Sequence, residues 1–209
     1  MFTGIVAAIG RIDSVTPLGA GPEAGMRLTV DAGDLPLDDV AVGDSIAIEG
    51  ACMTAVTLDR ETRRFAVDVS QESLSLTVGL ARPGAVNLEK ALRANDRLGG
   101  HLVSGHIDGL GQVVRFEPVG ESYRLDIVAP RAIGRYLAYK GSITVNGVSL
   151  TVNAVDDTAQ DGCAFSINLI PHTIAATTLK HLAPGARVNL EIDQIARYVE
   201  RILSAPKQD

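Results

Sequence analysis

The phrase GDSIAIEGACMTAV, Gly43 to Val56, returns about a hundred residues later as KGSITVNGVSLTV, Lys140 to Val152. Ser45 falls on Ser142, Gly50 on Gly147, Cys52 on Ser149 and Thr54 on Thr151. Each copy reads as two short strands around a glycine turn. The recurrence extends to both sides. MFTGIVAAIG from Met1 lies on LVSGHIDGLG from Leu102, so that Gly4 meets Gly105 and Ile5 meets His106. FAVDVSQES from Phe65 lies on FSINLIPHT from Phe165, and PGAVNLE from Pro83 lies on PGARVNLE from Pro184, one residue longer. The offsets run from 97 (Ser45 to Ser142) to 102 (Val86 to Val188), always in the same order. The chain is therefore a duplication of a unit of about 95 residues.

Within the unit, segments such as RLTVD, SIAIE, TAVTL, RRFAVDV and AVNLE alternate or carry β-branched residues, with Gly, Pro and Asp turns between them. A half with six or so strands predicts a small antiparallel barrel or sandwich, and closure into a barrel removes exposed sheet edges. The linker falls near KALRANDRLGG, Lys90 to Gly100. The expected organisation is a barrel over 1–97, a second over 98–193, and a helix and tail over 194–209. In QIARYVERILSA, Ile195, Val199, Ile202 and Leu203 recur at i, i+4, i+7 and i+8, one apolar stripe on a helix of about three turns. That stripe fits either a lid on its own barrel or a contact between copies of the chain.

Composition sets the class. The chain has 209 residues, 46% hydrophobic and 21% charged, the balance of a globular protein. Nothing in the sequence reads as a membrane span or a signal peptide, so the expected location is cytoplasmic and no membrane partner is expected. A net charge of −6 with no basic cluster argues against nucleic acid. Cys52 and Cys163 are expected to be free thiols.

MFTGIV, LGGHLVSGHIDG, YKGSITVNGVSLTV and LIPHT together resemble the α-type riboflavin synthase family, in that family's order and over essentially the whole chain. The resemblance implies two six-stranded Greek-key barrels with a C-terminal helix, assembled as a trimer through that helix. The working site would lie between the N-terminal barrel of one subunit and the C-terminal barrel of its neighbour. It implies a reaction in which one 6,7-dimethyl-8-ribityllumazine gives a four-carbon unit to another. The products are riboflavin and 5-amino-6-ribitylaminouracil, with no cofactor and no metal, and a lumazine synthase is the protein partner it suggests.

The resemblance also implies site residues. Ser45, Cys52, His106, Ser149, Thr151 and Asp193 match positions that matter for catalysis. Gly4, Ile5 and Val6; Cys52, Met53 and Thr54; Asp68, Val69, Ser70, Gln71, Glu72 and Ser73; and Gly105, His106 and Ile107 match substrate contacts. So do Lys140; Ser149, Leu150 and Thr151; and Leu169, Ile170, Pro171, His172, Thr173 and Ile174. A lumazine 7-methyl group must lose a proton, work suited to a group titrating near neutrality, and His106 is the histidine in the matching SGHI motif. Cys52 is alternatively a nucleophile towards an electron-poor ring carbon or a packed core thiol. His101 and His106, five apart, are expected on opposite faces of a strand, which argues against a metal pair. Glu49, where the second repeat has Asn146, adds a charge near the first site and is expected to point to solvent.

Two other classes are weighed. A lumazine-holding antenna protein would lack the second-half set His106, Lys140, Ser149 and Thr151, which is intact here. A flavin-reductase barrel would need an Arg-x-Tyr-Ser motif and a GxGxxG domain, and the chain has neither.

Overall fold

The structure, a computed structural model, describes residues 1–21, 23–159 and 162–205. The first repeat forms β1 (Ala8–Pro17), β2 (Met26–Asp31), β3 (Ser45–Ile48), β4 (Ala51–Asp59), β5 (Arg64–Val69), helix α1 (Gln71–Leu76) and β6 (Gly84–Lys90). The second forms β7 (Gly109–Val119), β8 (Ser122–Ala129), the single-turn α2 (Arg131–Gly134), β9 (Ser142–Val145), β10 (Val148–Asp156), β11 (Cys163–Leu169), α3 (Pro171–Ala176) and β12 (Arg187–Ile192). Helix α4 (Gln194–Ser204) follows.

Each set of six strands closes on itself. The first runs β1-β2-β5-β4-β3-β6 and the second follows the same circuit, every pairing antiparallel. Bulges recur at equivalent places: between Ile12 and Ser14 and between Val113 and Arg115, and again between Ala55 and Thr57 and between Val152 and Ala154. An extra residue on one strand raises the local twist, which curls a small sheet until its edges meet. Inward positions fill two separate cores. Ile12, Leu28, Ile48, Phe65 and Leu88 fill one, and Val113, Leu125, Ile143, Phe165 and Leu190 fill the other. Each such side chain contributes roughly 1.5–3 kcal/mol when fully buried.

The opening phrases are hairpins with two-residue turns, Glu49-Gly50 and Asn146-Gly147. All four turn residues have positive φ, between 49° and 86°, as a turn matched to strand twist requires. The two turns abut. A Cβ on Gly50 would lie 2.6 Å from the backbone nitrogen of Gly147, and one on Gly147 would lie 2.7 Å from that of Gly50. Glycine here allows two barrels to touch backbone to backbone.

The segments ahead of β1 and β7 are exchanged between the barrels. Phe2 and Val103 form a two-bond bridge, N–H to O at 2.7 and 3.1 Å. Gly4 then accepts from the Ser149 N–H at 2.7 Å, and Gly105 accepts from the Cys52 N–H at 2.8 Å. Val6 packs on the second core and Ile107 on the first. Each barrel closes with its own six strands, and the segment ahead of the other's first strand packs against it. His101 and His106 consequently lie in a crossing segment with one isolated bridge at Val103, not on the expected strand.

Helix α4 forms where the apolar period predicts it, capped by Asp193, whose Oδ1 accepts from the Ile195 N–H at 2.9 Å. Its polar side docks on the second barrel through Arg135–Glu200 and Arg197–Asp108, both at 2.6 Å. The apolar stripe faces away, with Ile202 74% and Leu203 81% exposed, so the helix is not a lid. Residues 206–209 of the expected tail lie outside the described residues.

Candidate active site

Each barrel wall has a slot where a ladder stops early. Strand β4 begins at Ala51, yet its pairing with β5 reaches only Ala55–Val67. Cys52, Met53 and Thr54 therefore pair with β3 alone, facing the end of β5 at Asp68 and Val69 and the start of α1. Ser70 turns the chain into that helix, its Oγ accepting from the Ser73 N–H at 3.1 Å. In the second barrel, the β10–β11 ladder starts at Val152–Ile167 and leaves Ser149, Leu150 and Thr151 opposite Leu169, Ile170 and the N-terminus of α3, where Pro171 occupies the first turn. Along β4, Met53 points into the core while Cys52 and Thr54 point out. Ser45, the β3 partner of Thr54, shares that outer face, and a cavity of about 480 Å³ opens beside it, lined also by Glu89, Lys90 and Arg93.

The exchanged segments roof these slots, and two buried glutamates hold them. Glu89 accepts from the Thr3 N–H at 2.7 Å, the Thr3 hydroxyl at 2.6 Å and the Gly4 N–H at 3.0 Å. Glu191 does the same for Ser104 and Gly105, at 2.7, 2.6 and 2.9 Å. Burial pushes the Glu89 pKa up against these bonds. The first slot is thus roofed by Gly105–Ile107 from the second repeat, and the second slot by Gly4–Val6 from the first.

The slots differ in chemistry at matched positions. Cys52 sits among Phe2, Ala47, Ala91 and Val103, an apolar setting. Ser149, its counterpart, meets the Nδ1 of His101 at 2.7 Å, and Ala47 and Ala91 are replaced by Thr144 and Asp193. Burial lowers the His101 pKa, and the charge of Asp193 partly offsets this. The imidazole is therefore neutral at physiological pH and can exchange a proton with the serine hydroxyl.

The residues expected from the sequence fall into two groups. Cys52, Met53, Thr54, Asp68 to Ser73, Gly105, His106 and Ile107 line or roof the first slot, with Ser45 on its outer face. Gly4, Ile5, Val6, Ser149, Leu150, Thr151 and Leu169 to Ile174 line or roof the second, with Asp193 beside it. His106 and Ser149 lie in different slots of one chain. Asp68 is held by a bidentate pair with Arg27 at 2.7 and 2.8 Å, which keeps its carboxyl below the usual range. Lys140 is exposed, takes φ +64° where the first repeat has Gly43, and donates to Asn153 Oδ1 at 3.1 Å.

Glu49 departs from the sequence reading. It is buried, 5% exposed, at the seam between the barrels. Its Oε1 accepts from the Asn87 N–H and the Thr178 hydroxyl, both at 2.9 Å, as Asn146 Oδ1 accepts from the Asn189 N–H at 2.8 Å. Among the described residues no cation pairs with it, and burial raises its pKa to about 7. His101, Glu89 and Glu191 were not among the candidates. Their signals were present, in the LGGH run and in the NLE that closes both repeats. Among the described residues no His, Cys, Asp and Glu side chains cluster in a metal-binding group.

Two roofed slots on duplicated barrels define a tandem-repeat barrel protein with two matched clefts. A model of the lumazine binding domain matches residues 3–91 and again 104–193. Riboflavin synthase of Photobacterium phosphoreum is 42% identical over 211 residues, spanning 100% of this chain and 92% of that protein. Riboflavin synthase of Mycobacterium bovis is 42% identical over 208 residues, 97% of this chain and 98% of that one. That of Bacillus subtilis is 40% identical over 206 residues. Among solved structures, LumP complexed with riboflavin superposes with a TM-score of 0.74 at 23% identity, over 92% of this chain and 99% of that one. LumP complexed with 6,7-dimethyl-8-(1'-D-ribityl)lumazine gives 0.72 at 22%. These two likenesses concern the fold. The chain belongs to the riboflavin synthase family of tandem lumazine-binding proteins.

Proposed function

We propose that the chain is a riboflavin synthase, converting two molecules of 6,7-dimethyl-8-ribityllumazine into riboflavin and 5-amino-6-ribitylaminouracil. The observation that carries this reading is the match of the whole chain, both repeats included, to riboflavin synthases from several bacteria. Two like slots suit a reaction between two copies of one substrate. The products together contain every atom of the two substrates, so the transfer needs no external oxidant or reductant.

The unequal slots suggest a division of labour. In the second slot, Ser149 backed by neutral His101 and Asp193 is suited to take the 7-methyl proton. In the first, Cys52 and Thr54 present a thiol and a hydroxyl, with His106 on the roof as a further proton carrier. Ser45 and Thr151 flank the rings, and the short helices α1 and α3 offer their first-turn N–H groups to the ligands.

Reaction requires the two ligands to meet. We infer that the first slot of one protomer faces the second slot of a neighbour in a homotrimer, with the stripe Ile195, Val199, Ile202 and Leu203 as its contact. The exposure of that stripe supports this. A cytoplasmic site of action agrees with the finding that no described helix is long and apolar enough to cross a membrane. A lumazine synthase would be the supplier of substrate and a candidate partner.

The test is incubation of the purified protein with 6,7-dimethyl-8-ribityllumazine alone, with riboflavin followed by its absorbance. Sustained turnover is expected. Tight binding without turnover would overturn the proposal in favour of a chromophore carrier.

A further inference from the structure

A cavity of about 400 Å³ opens on the seam between the barrels, away from both slots and sharing no residue with them. It straddles equivalent positions of the two repeats, and at each pair the halves differ. Glu49 stands opposite Asn146, Thr178 is the counterpart of Val78, and Arg187 is the counterpart of Ala85. The seam is otherwise symmetric, with Asn87 and Asn189 making matched bonds across it: Asn87 Nδ2 donates to the Asn146 carbonyl at 2.9 Å and Asn189 Nδ2 to the Glu49 carbonyl at 3.0 Å. The departures from the repeat therefore converge on one cavity.

Glu49 forms its floor. Both donors to its carboxylate, Asn87 N–H and Thr178 Oγ, reach Oε1, and among the described residues Oε2 has no partner. That oxygen is not sealed from solvent but opens to the cavity, where a ligand hydroxyl or N–H can donate to it in place of water. Exposed Arg82 and Arg187 stand at the rim with His181, and neither arginine has an ion pair among the described residues. Two free guanidiniums suit a phosphate, which takes their forked donors two at a time. The volume falls within the range of small-molecule pockets and exceeds what a bare phosphate fills.

We propose that this seam cavity binds a small polyhydroxylated phosphomonoester, its phosphate at Arg82 and Arg187 and its hydroxyls on Glu49. The site is independent of the lumazine slots, and its test does not depend on turnover.

Ribose 5-phosphate, inorganic phosphate and ribose serve as probes in calorimetric titration of the full chain, with and without saturating lumazine. Saturable binding of ribose 5-phosphate is expected, at least about tenfold tighter than phosphate or ribose, and unchanged by lumazine. The Arg82→Ala/Arg187→Ala double variant should weaken it by about tenfold or more, and Glu49→Gln should weaken ribose 5-phosphate but not phosphate. Riboflavin formation should stay at the wild-type rate in the arginine variant, which reports an intact fold. Absence of saturable binding, equal binding by the arginine double variant, or competition with lumazine would each overturn the proposal.

Discussion

Glu49 shows how one side chain can work against its own fold. The second repeat places the neutral Asn146 at the equivalent turn, where it accepts the equivalent backbone N–H. Glu49 takes on that role with a carboxyl whose pKa is raised to about 7 when folded, against 4.5 when free. Below pH 4.5 the group is neutral in both states and costs nothing. As pH rises through that window the unfolded chain loses its proton first, so folding stability declines and the full penalty stands above about pH 7. Glu49→Gln keeps an acceptor and removes the charge. It should stabilise the protein at pH 8 by about 2 kcal/mol and at pH 4.5 by no more than about 0.5 kcal/mol, measured by urea unfolding at both values. Equal effects at both would place the cause elsewhere. His101 carries the opposite shift, since burial holds its pKa below 6.5. If it acts through Ser149, the acid limb of kcat/KM should lie below pH 6.5. Both His101→Gln and Ser149→Ala should cost about a hundredfold in kcat, with the limb displaced in the histidine variant. A loss of rate with the pH profile unmoved would make His101 structural only.

At the scale of elements, the roof segments and their glutamate anchors are the least expected feature. The repeat was legible as a repeat because hairpin phrases, turn glycines and core phenylalanines recur at nearly constant offset. What the offsets do not carry is which barrel a segment lies on: Gly4–Val6 and Gly105–Ile107 match each other equally well whether each stays home or crosses. The crossing is decided by tertiary bonds, Gly4 to Ser149 and Gly105 to Cys52, that no local pattern encodes. For the same reason His106 and Ser149, both expected from the sequence at the site, read as one set and lie in two slots. Helices α1 and α3 were hidden because two turns leave little periodicity. The anchors make this arrangement testable. Glu191→Gln replaces one acceptor of N–H groups with a donor and should loosen the roof of the first slot, while Glu89→Gln should loosen that of the second. In a ligand titration that resolves two sites by fluorescence, each substitution should weaken one site and spare the other. Weakening of both sites by either change would mean that the roofs act on the whole molecule.

At the scale of the molecule, one chain carries two slots, and the hairpin turns pack backbone to backbone at the seam between its barrels. In the proposed trimer, the outward apolar stripe of α4 would bring slots of different chains together. Sedimentation should find three copies per particle, and Ile202→Asp should yield folded single chains that bind lumazine but turn over at least about a hundredfold more slowly. Full activity in a single chain would contradict the shared site. On the proposed reading the duplication has a chemical basis: one barrel design would bind each of two identical substrates, and the differences Cys52/Ser149, Ala47/Thr144 and Ala91/Asp193 would set them to unequal tasks.

The proposed reaction is an exchange between two identical ligands with nothing added. Chromatographic product analysis after incubation with 6,7-dimethyl-8-ribityllumazine, in the presence of a chelator and without any reductant, tests it most directly. The prediction is one riboflavin and one 5-amino-6-ribitylaminouracil for every two lumazines consumed. Riboflavin formed without the aminouracil in equal amount, or no consumption of bound lumazine, would contradict it.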